Sequence, residues 1–202
     1  MAVVALALES ITSHLNTTKQ ILNAIDFLIG KEIVVGSLGD RNGKVRAAML
    51  NAGLEIVKIH GSKCMKELLA RFDDILSGSS KALASVSTET QDWVRESVVV
   101  LLGTLGQFLS STDDRVPQVV YKLVEALKTP SESVQMAVST CLGPLIKQSP
   151  NSAPQLIQLL LDQLLNGTKY GDRRGAAFSI AEIVKGGGSK LLREYSIMNT
   201  LG

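Results

Sequence analysis

Apolar side chains return at the spacing of one helix face four times along this chain. The register is set by Lys44-Val45-Arg46, Trp93-Val94-Arg95, Ser133-Val134-Gln135 and Asp172-Arg173-Arg174. Val45, Val94, Val134 and Arg173 hold the same place, at intervals of 49, 40 and 39 residues. Apolar or small residues follow each of them at +4, +7 and +11. The sets are Met49, Ala52 and Ile56; Val98, Leu101 and Leu105; Val138, Cys141 and Leu145; Ala177, Ile180 and Val184. That spacing draws a single stripe down a helix. A period of about 40 residues holding two helices is that of HEAT and armadillo arrays. Their units bury apolar faces only against neighbours and leave a long surface for partners. The expected fold is therefore an all-α solenoid of about four helical pairs.

The elements between the anchors complete the pattern. Residues 2–15 read as a helix, with Val4, Leu8, Ile11 and Leu15 near one face. A mixed apolar run over 20–38 ends in a Gly- and Asn-rich turn at 36–43, and the first anchored helix covers about 44–58. Residues 63–76 form the next helix, and the serine-rich stretch from Ser77 to Asp92 reads as a loop before a helix over about 92–109. Val116, Val119, Val120, Leu123 and Leu127 stripe a helix with Pro117 in its first turn, where proline is tolerated. Thr129-Pro130-Ser131 closes it. Its partner, Ser131 to Gln148, contains Pro144, which predicts a kink. A leucine-rich helix opened by Pro154 runs through Leu165, a partner covers about 172–185, and Gly186-Gly187-Gly188 ends it. The predicted pairs are 20–60, 63–109, 115–148 and 154–186 of one array over 1–202, with unpaired helices at 2–15 and 190–201. An array that ends halfway through a pair reads as a segment of a longer protein.

Composition narrows the function. Hydrophobic residues make up 45% and aromatic residues only 4%, which suits close-packed helices. The net charge of +2, from 21 basic and 19 acidic residues, implies no polyelectrolyte partner for the whole surface, so any basic site is a local patch. Cys64 and Cys141 form no paired motif and read as reduced thiols in a cytosolic protein. The apolar run from Ala2 to Leu8 lacks a basic flank and is too short to span a bilayer. No membrane role is expected.

Catalytic chemistry finds little material. His14 and His60 have no Cys, Asp or Glu at ligand spacing, so neither a hydrolytic triad nor a zinc site is expected. Gly43-Lys44 lacks the upstream glycine of a phosphate-binding loop, since Leu38 stands there. No catalytic, metal or cofactor residue is assigned, and the chain is read as a non-enzyme. The fourth anchor is different, because Lys169, Arg173 and Arg174 surround Tyr170 and Gly171. As chemistry, they form a basic corner for RNA phosphates or an acidic partner. As structure, they are solvated helix ends offset by Asp172 and Glu182. Arg46, Arg95 and Arg174 share the position after the anchor in this register, and Gln135 interrupts their line.

Several stretches carry a resemblance to a known family. They are Asp40-Arg41-Asn42-Gly43-Lys44-Val45-Arg46, Val94-Arg95-Glu96-Ser97-Val98, Leu127-Lys128-Thr129-Pro130-Ser131-Glu132-Ser133-Val134-Gln135 and Lys169-Tyr170-Gly171-Asp172-Arg173-Arg174-Gly175-Ala176-Ala177. From about residue 20 onward the chain resembles the central HEAT-repeat region of the general control non-derepressible translational activator family. The resemblance implies a cytoplasmic, polysome-associated scaffold that binds stalled or collided ribosomes. It also implies activation of the kinase acting on translation initiation factor two alpha when amino acids run short, through regions outside this chain. An ABC-type ATPase is a further implied partner. Rival readings are a generic HEAT adaptor and the HEAT region of an elongation-factor-three-like ABC ATPase. Lys169, Arg173 and Arg174 are the candidate ribosome or partner contact.

Overall fold

The computed structural model describes residues 7–8, 10–30, 37–77, 81–129, 131–148, 153–195 and 197. Among these residues the regular structure is helical, without a strand. The helices are α1 (Thr18–Ile29), α2 (Gly43–His60), α3 (Met65–Leu76), α4 (Lys81–Ala84) and α5 (Thr88–Gly106), then α6 (Val116–Ala126), α7 (Glu132–Gln148), α8 (Ala153–Asn166), α9 (Tyr170–Gly187) and α10 (Lys190–Glu194). The chain divides into two compact units, Met1–Phe108 and Leu109–Gly202.

Local chemistry sets the helix starts in the first unit. Thr17 and Gln20 form a reciprocal cap on α1: the Gln20 N–H donates to the Thr17 hydroxyl, and the Thr17 N–H donates to Gln20 Oε1. Gly30 ends α1 with φ +79°, a left-handed turn that glycine adopts without a Cβ penalty. Asn42 caps α2 by accepting the Lys44 N–H at 3.0 Å. Ser87 caps α5 by accepting the Thr90 N–H, so this helix begins at Thr88, not at about residue 92 as the sequence pattern suggested. Within the serine-rich stretch, the described residues thus include the short helix α4 and a capping serine. The helix expected over 2–15 lies partly outside the described residues, as does the end of the one expected over 190–201.

Helix α1 packs on α2, α3 packs on α5, and α2 packs on α5. Met49, Ala52 and Ile56 of α2 and Val94, Val98, Leu101 and Leu105 of α5 are buried at the predicted stripe positions. Apart from Ala52, each of these side chains contributes roughly 1.5–3 kcal/mol relative to exposure. Gly53 allows the close approach, since a Cβ there would lie 3.1 Å from a Leu101 methyl and 3.3 Å from one of Leu28. Arg46 reaches from α2 to cover the Trp93 ring of α5 at 4.0 Å.

The second unit repeats this plan. Helix α6 packs on α7, α8 on α9, and α7 on α9. Helix α7 runs unbroken through Pro144. The α7–α9 contact is tight because Gly143 and Gly186 face each other: a Cβ on Gly143 would meet Glu182 O at 2.9 Å. Ser139 Oγ and Ser179 Oγ stand 2.9 Å apart in the same buried seam, and each also reaches the carbonyl four residues back in its own helix.

The register of α9 is displaced by one residue from the sequence expectation. Its buried residues are Gly175, Ala176, Ser179, Ile180 and Ile183, whereas Ala177 is exposed. The fourth anchor position therefore falls on Asp172, and the residue after it is Arg173. Arg173, not Arg174, occupies the place of Arg46 and Arg95.

Candidate functional site

The basic corner is built at the turn from α8 into α9. Lys169 precedes the first residue of α9 in extended backbone (φ −96°, ψ 139°) and is exposed. Its side chain makes no capping bond. Arg173 lies one turn further on, and its Nη1–H donates to Gly167 O at 2.7 Å. This bond closes the turn, because it links helix α9 to a carbonyl six residues upstream. Two other second helices use the same device. Arg46 donates to Asp40 O at 2.7 Å, and Gln135 donates to Thr129 O at 2.9 Å. Arg173 is thus no departure from an apolar rule; it holds a place where a long donor is used elsewhere.

Arg174 is committed in another direction. Its Nε–H donates to Gln135 Oε1 at 2.9 Å and its Nη1–H to Glu132 Oε2 at 3.0 Å, while the guanidinium lies 5.8 Å from the Tyr170 ring centre. Gln135 is fully buried. Its Nε2 reaches Leu127 O at 2.7 Å, Thr129 O at 2.9 Å and Gly171 O at 2.9 Å. An amide has only two such hydrogens, so one is shared between carbonyls. Gly175 makes room for this network: a Cβ there would lie 2.8 Å from Leu127 O and 3.1 Å from Gln135 Nε2.

The structure therefore brings Lys169, Arg173 and Arg174 to one helix start but gives them unequal tasks. Arg173 and Arg174 spend donors on the protein's own turns, and Glu132 offsets part of their charge. Lys169 projects its ammonium into solvent. The sequence pattern did not reveal Gln135 as the centre of this arrangement. The available signal was a glutamine standing where Arg46 and Arg95 stand in the earlier repeats. Among the described residues no group of three or more His, Cys, Asp or Glu could hold a metal ion, and no helix is long and apolar enough to cross a membrane.

Residues 2–107 match the family model described as "Stalled ribosome sensor GCN1, HEAT repeats". The chain is 42% identical over 198 residues to Protein ILITYHIA of Arabidopsis thaliana, an alignment covering 98% of this chain. It is 36% identical over 197 residues, again 98% of the chain, to Stalled ribosome sensor GCN1 of Homo sapiens. Against eIF-2-alpha kinase activator GCN1 of Saccharomyces cerevisiae the identity is 36% over 182 residues, or 90% of the chain. The chain spans only 7%, 7% and 6% of these three relatives' own lengths. No solved structure matches it significantly. Paired helices at the HEAT period, the family match over half the chain and the identity over nearly all of it agree: the chain belongs to the HEAT-repeat family of the stalled ribosome sensor GCN1.

Proposed function

We propose that residues 1–202 are one stretch of the HEAT array of a cytoplasmic, ribosome-associated scaffold in translational control. The observation that carries this reading is the 36% identity, over 98% and 90% of the chain, to proteins named stalled ribosome sensor and eIF-2-alpha kinase activator. In this reading the whole protein occupies stalled ribosomes and promotes activation of the kinase acting on translation initiation factor two alpha. This stretch supplies rigid surface, with no catalytic step of its own. Kinase contact and engagement of an ABC-type ATPase belong to the full-length protein.

Within this reading the corner at 169–174 docks on ribosomal phosphate. Lys169 supplies the free charge, and Arg173 and Arg174 fix the turn that presents it. The test is co-sedimentation of the full-length protein with polysomes over a range of salt. Lys169→Glu should weaken binding at low salt and lower the salt slope by roughly one unit, as expected for each phosphate contact removed. Wild-type protein that fails to co-sediment would overturn the ribosome reading. Equal binding of Lys169→Glu at low salt would remove the corner from it.

A further inference from the structure

The second unit carries an open groove between its two first helices, α6 and α8. It has a volume of about 570 Å³. Its floor is apolar, formed by Val120, Val124 and Leu156, and two large side chains flank it in the open: Tyr121 is 65% exposed and Leu159 48%. Its far end is polar and acidic. Lys128 pairs with Glu125 at 2.8 Å and also attracts Asp172, so the three carboxylates of the lining, Glu125, Asp162 and Asp172, outnumber its single cation. Gln163 also lines this end, and its buried Nε2 has no hydrogen-bond partner among the described residues. In the first unit the two corresponding helices are instead joined by an ion pair, Arg71 to Asp26, at 3.2 Å.

We propose that this groove binds a short basic, amphipathic segment of a partner protein. The segment sets a bulky apolar side chain between Tyr121 and Leu159 and a Lys or Arg against Asp162 and Asp172. Two features select that occupant. Exposed aromatic and aliphatic side chains over an apolar floor gain most by burying a hydrophobic anchor. The excess of carboxylates in the lining favours a cation over nucleic-acid phosphate, and Asp172 is where this groove adjoins the corner at Lys169. Glu and Asp on the rim disfavour an acidic peptide for the same electrostatic reason. The inference stands independently of ribosome docking.

The experiment is selection of a phage-displayed random 12-residue peptide library on the 202-residue chain, followed by fluorescence anisotropy with the enriched peptides. The expected peptides pair a Leu, Phe or Trp with at least one Lys or Arg. Leu159→Glu and Asp162→Lys, both at exposed positions, should keep the wild-type melting temperature and each weaken binding by on the order of tenfold or more. Binding to the wild type should fall as salt rises. Absence of enriched peptides sensitive to either variant, or enrichment of acidic peptides, overturns the proposal. Two other outcomes also overturn it by naming a different occupant: self-association of the chain abolished by Leu159→Glu, and binding of an RNA oligonucleotide lost in the same variant.

Discussion

Arg174 donates its Nε–H to Oε1 of Gln135 at 2.9 Å, joining residues 39 positions apart on two neighbouring second helices. The bond orients the glutamine amide, so that Nε2 turns to the carbonyls of Leu127, Thr129 and Gly171. One buried side chain thereby ties the end of α6, the turn after it, and the first turn of α9. A charge-assisted bond to a buried acceptor is worth more than a neutral one on the surface.

Gln135→Ala removes that centre: the carbonyls of Leu127, Thr129 and Gly171 lose its amide donor, and Arg174 loses one of its acceptors while keeping Glu132. The expected loss is about 2–3 kcal/mol, or a melting temperature lower by about 2–4 °C for each kcal/mol. Arg174→Ala should cost less, because the three carbonyl contacts survive. Equal losses for the two variants in denaturant titration would refute the assigned hierarchy.

Two glycines of α9 should respond with opposite signs to the same substitution. Gly175→Ala places a Cβ 2.8 Å from Leu127 O, a backbone atom that cannot swing away. The clash should outweigh the roughly 1 kcal/mol helix-propensity gain of alanine and leave a net loss of about 1–2 kcal/mol. Gly171→Ala meets nothing closer than 4.0 Å and should stabilise by up to about 1 kcal/mol. Thermal melting of both variants measures the split, and a shared sign would contradict the close approach at Gly175.

Val98 is fully buried on α5. Val98→Asp puts a carboxylate there without a partner, at a cost of roughly 3–5 kcal/mol or a shift of the acid to its neutral form. Circular dichroism melting of the variant should show the first unit unfolding well below wild type. A melt within a degree or two of wild type would mean that this face is not the core.

Asp113 provides a pH-dependent contact. The side chain of Arg115 donates to it at 2.8 and 2.6 Å, and the Arg115 backbone N–H at 3.0 Å, which lowers the carboxyl from its ordinary 3.8 to about 2. A depressed folded-state value means the stabilisation is present above about pH 3.8 and is lost as pH falls towards 2. Carboxyl NMR titration should therefore find this midpoint near 2. The stability difference between wild type and Asp113→Asn should vanish at the acid end, and a midpoint near the ordinary value would dismiss the contact.

The amino-acid pattern determined the helices and most of their buried faces. Val94, Val98, Leu101 and Leu105 are a property of 3.6-residue periodicity within one segment, and so are the stripes of α2 and α7. The Gly- and Asn-rich turn at 36–43 placed the first anchored helix within one residue of its start at Gly43. The cap of Ser87 on Thr90 was obscured by the surrounding serines, so α5 begins earlier than its apolar stripe suggests. Tertiary structure decided which arginine closes the turn into α9. Periodicity alone tolerated a register one residue off, since Ala176 and Ala177 are equally apolar in sequence, and only packing against α7 buries the first and exposes the second. It also decided that Arg174 is spent on Gln135 and that α6 and α8 leave an acidic groove open. These outcomes depend on partners 36 or more residues away, whose approach is set by glycine contacts and turn lengths rather than by the local order of apolar and polar residues.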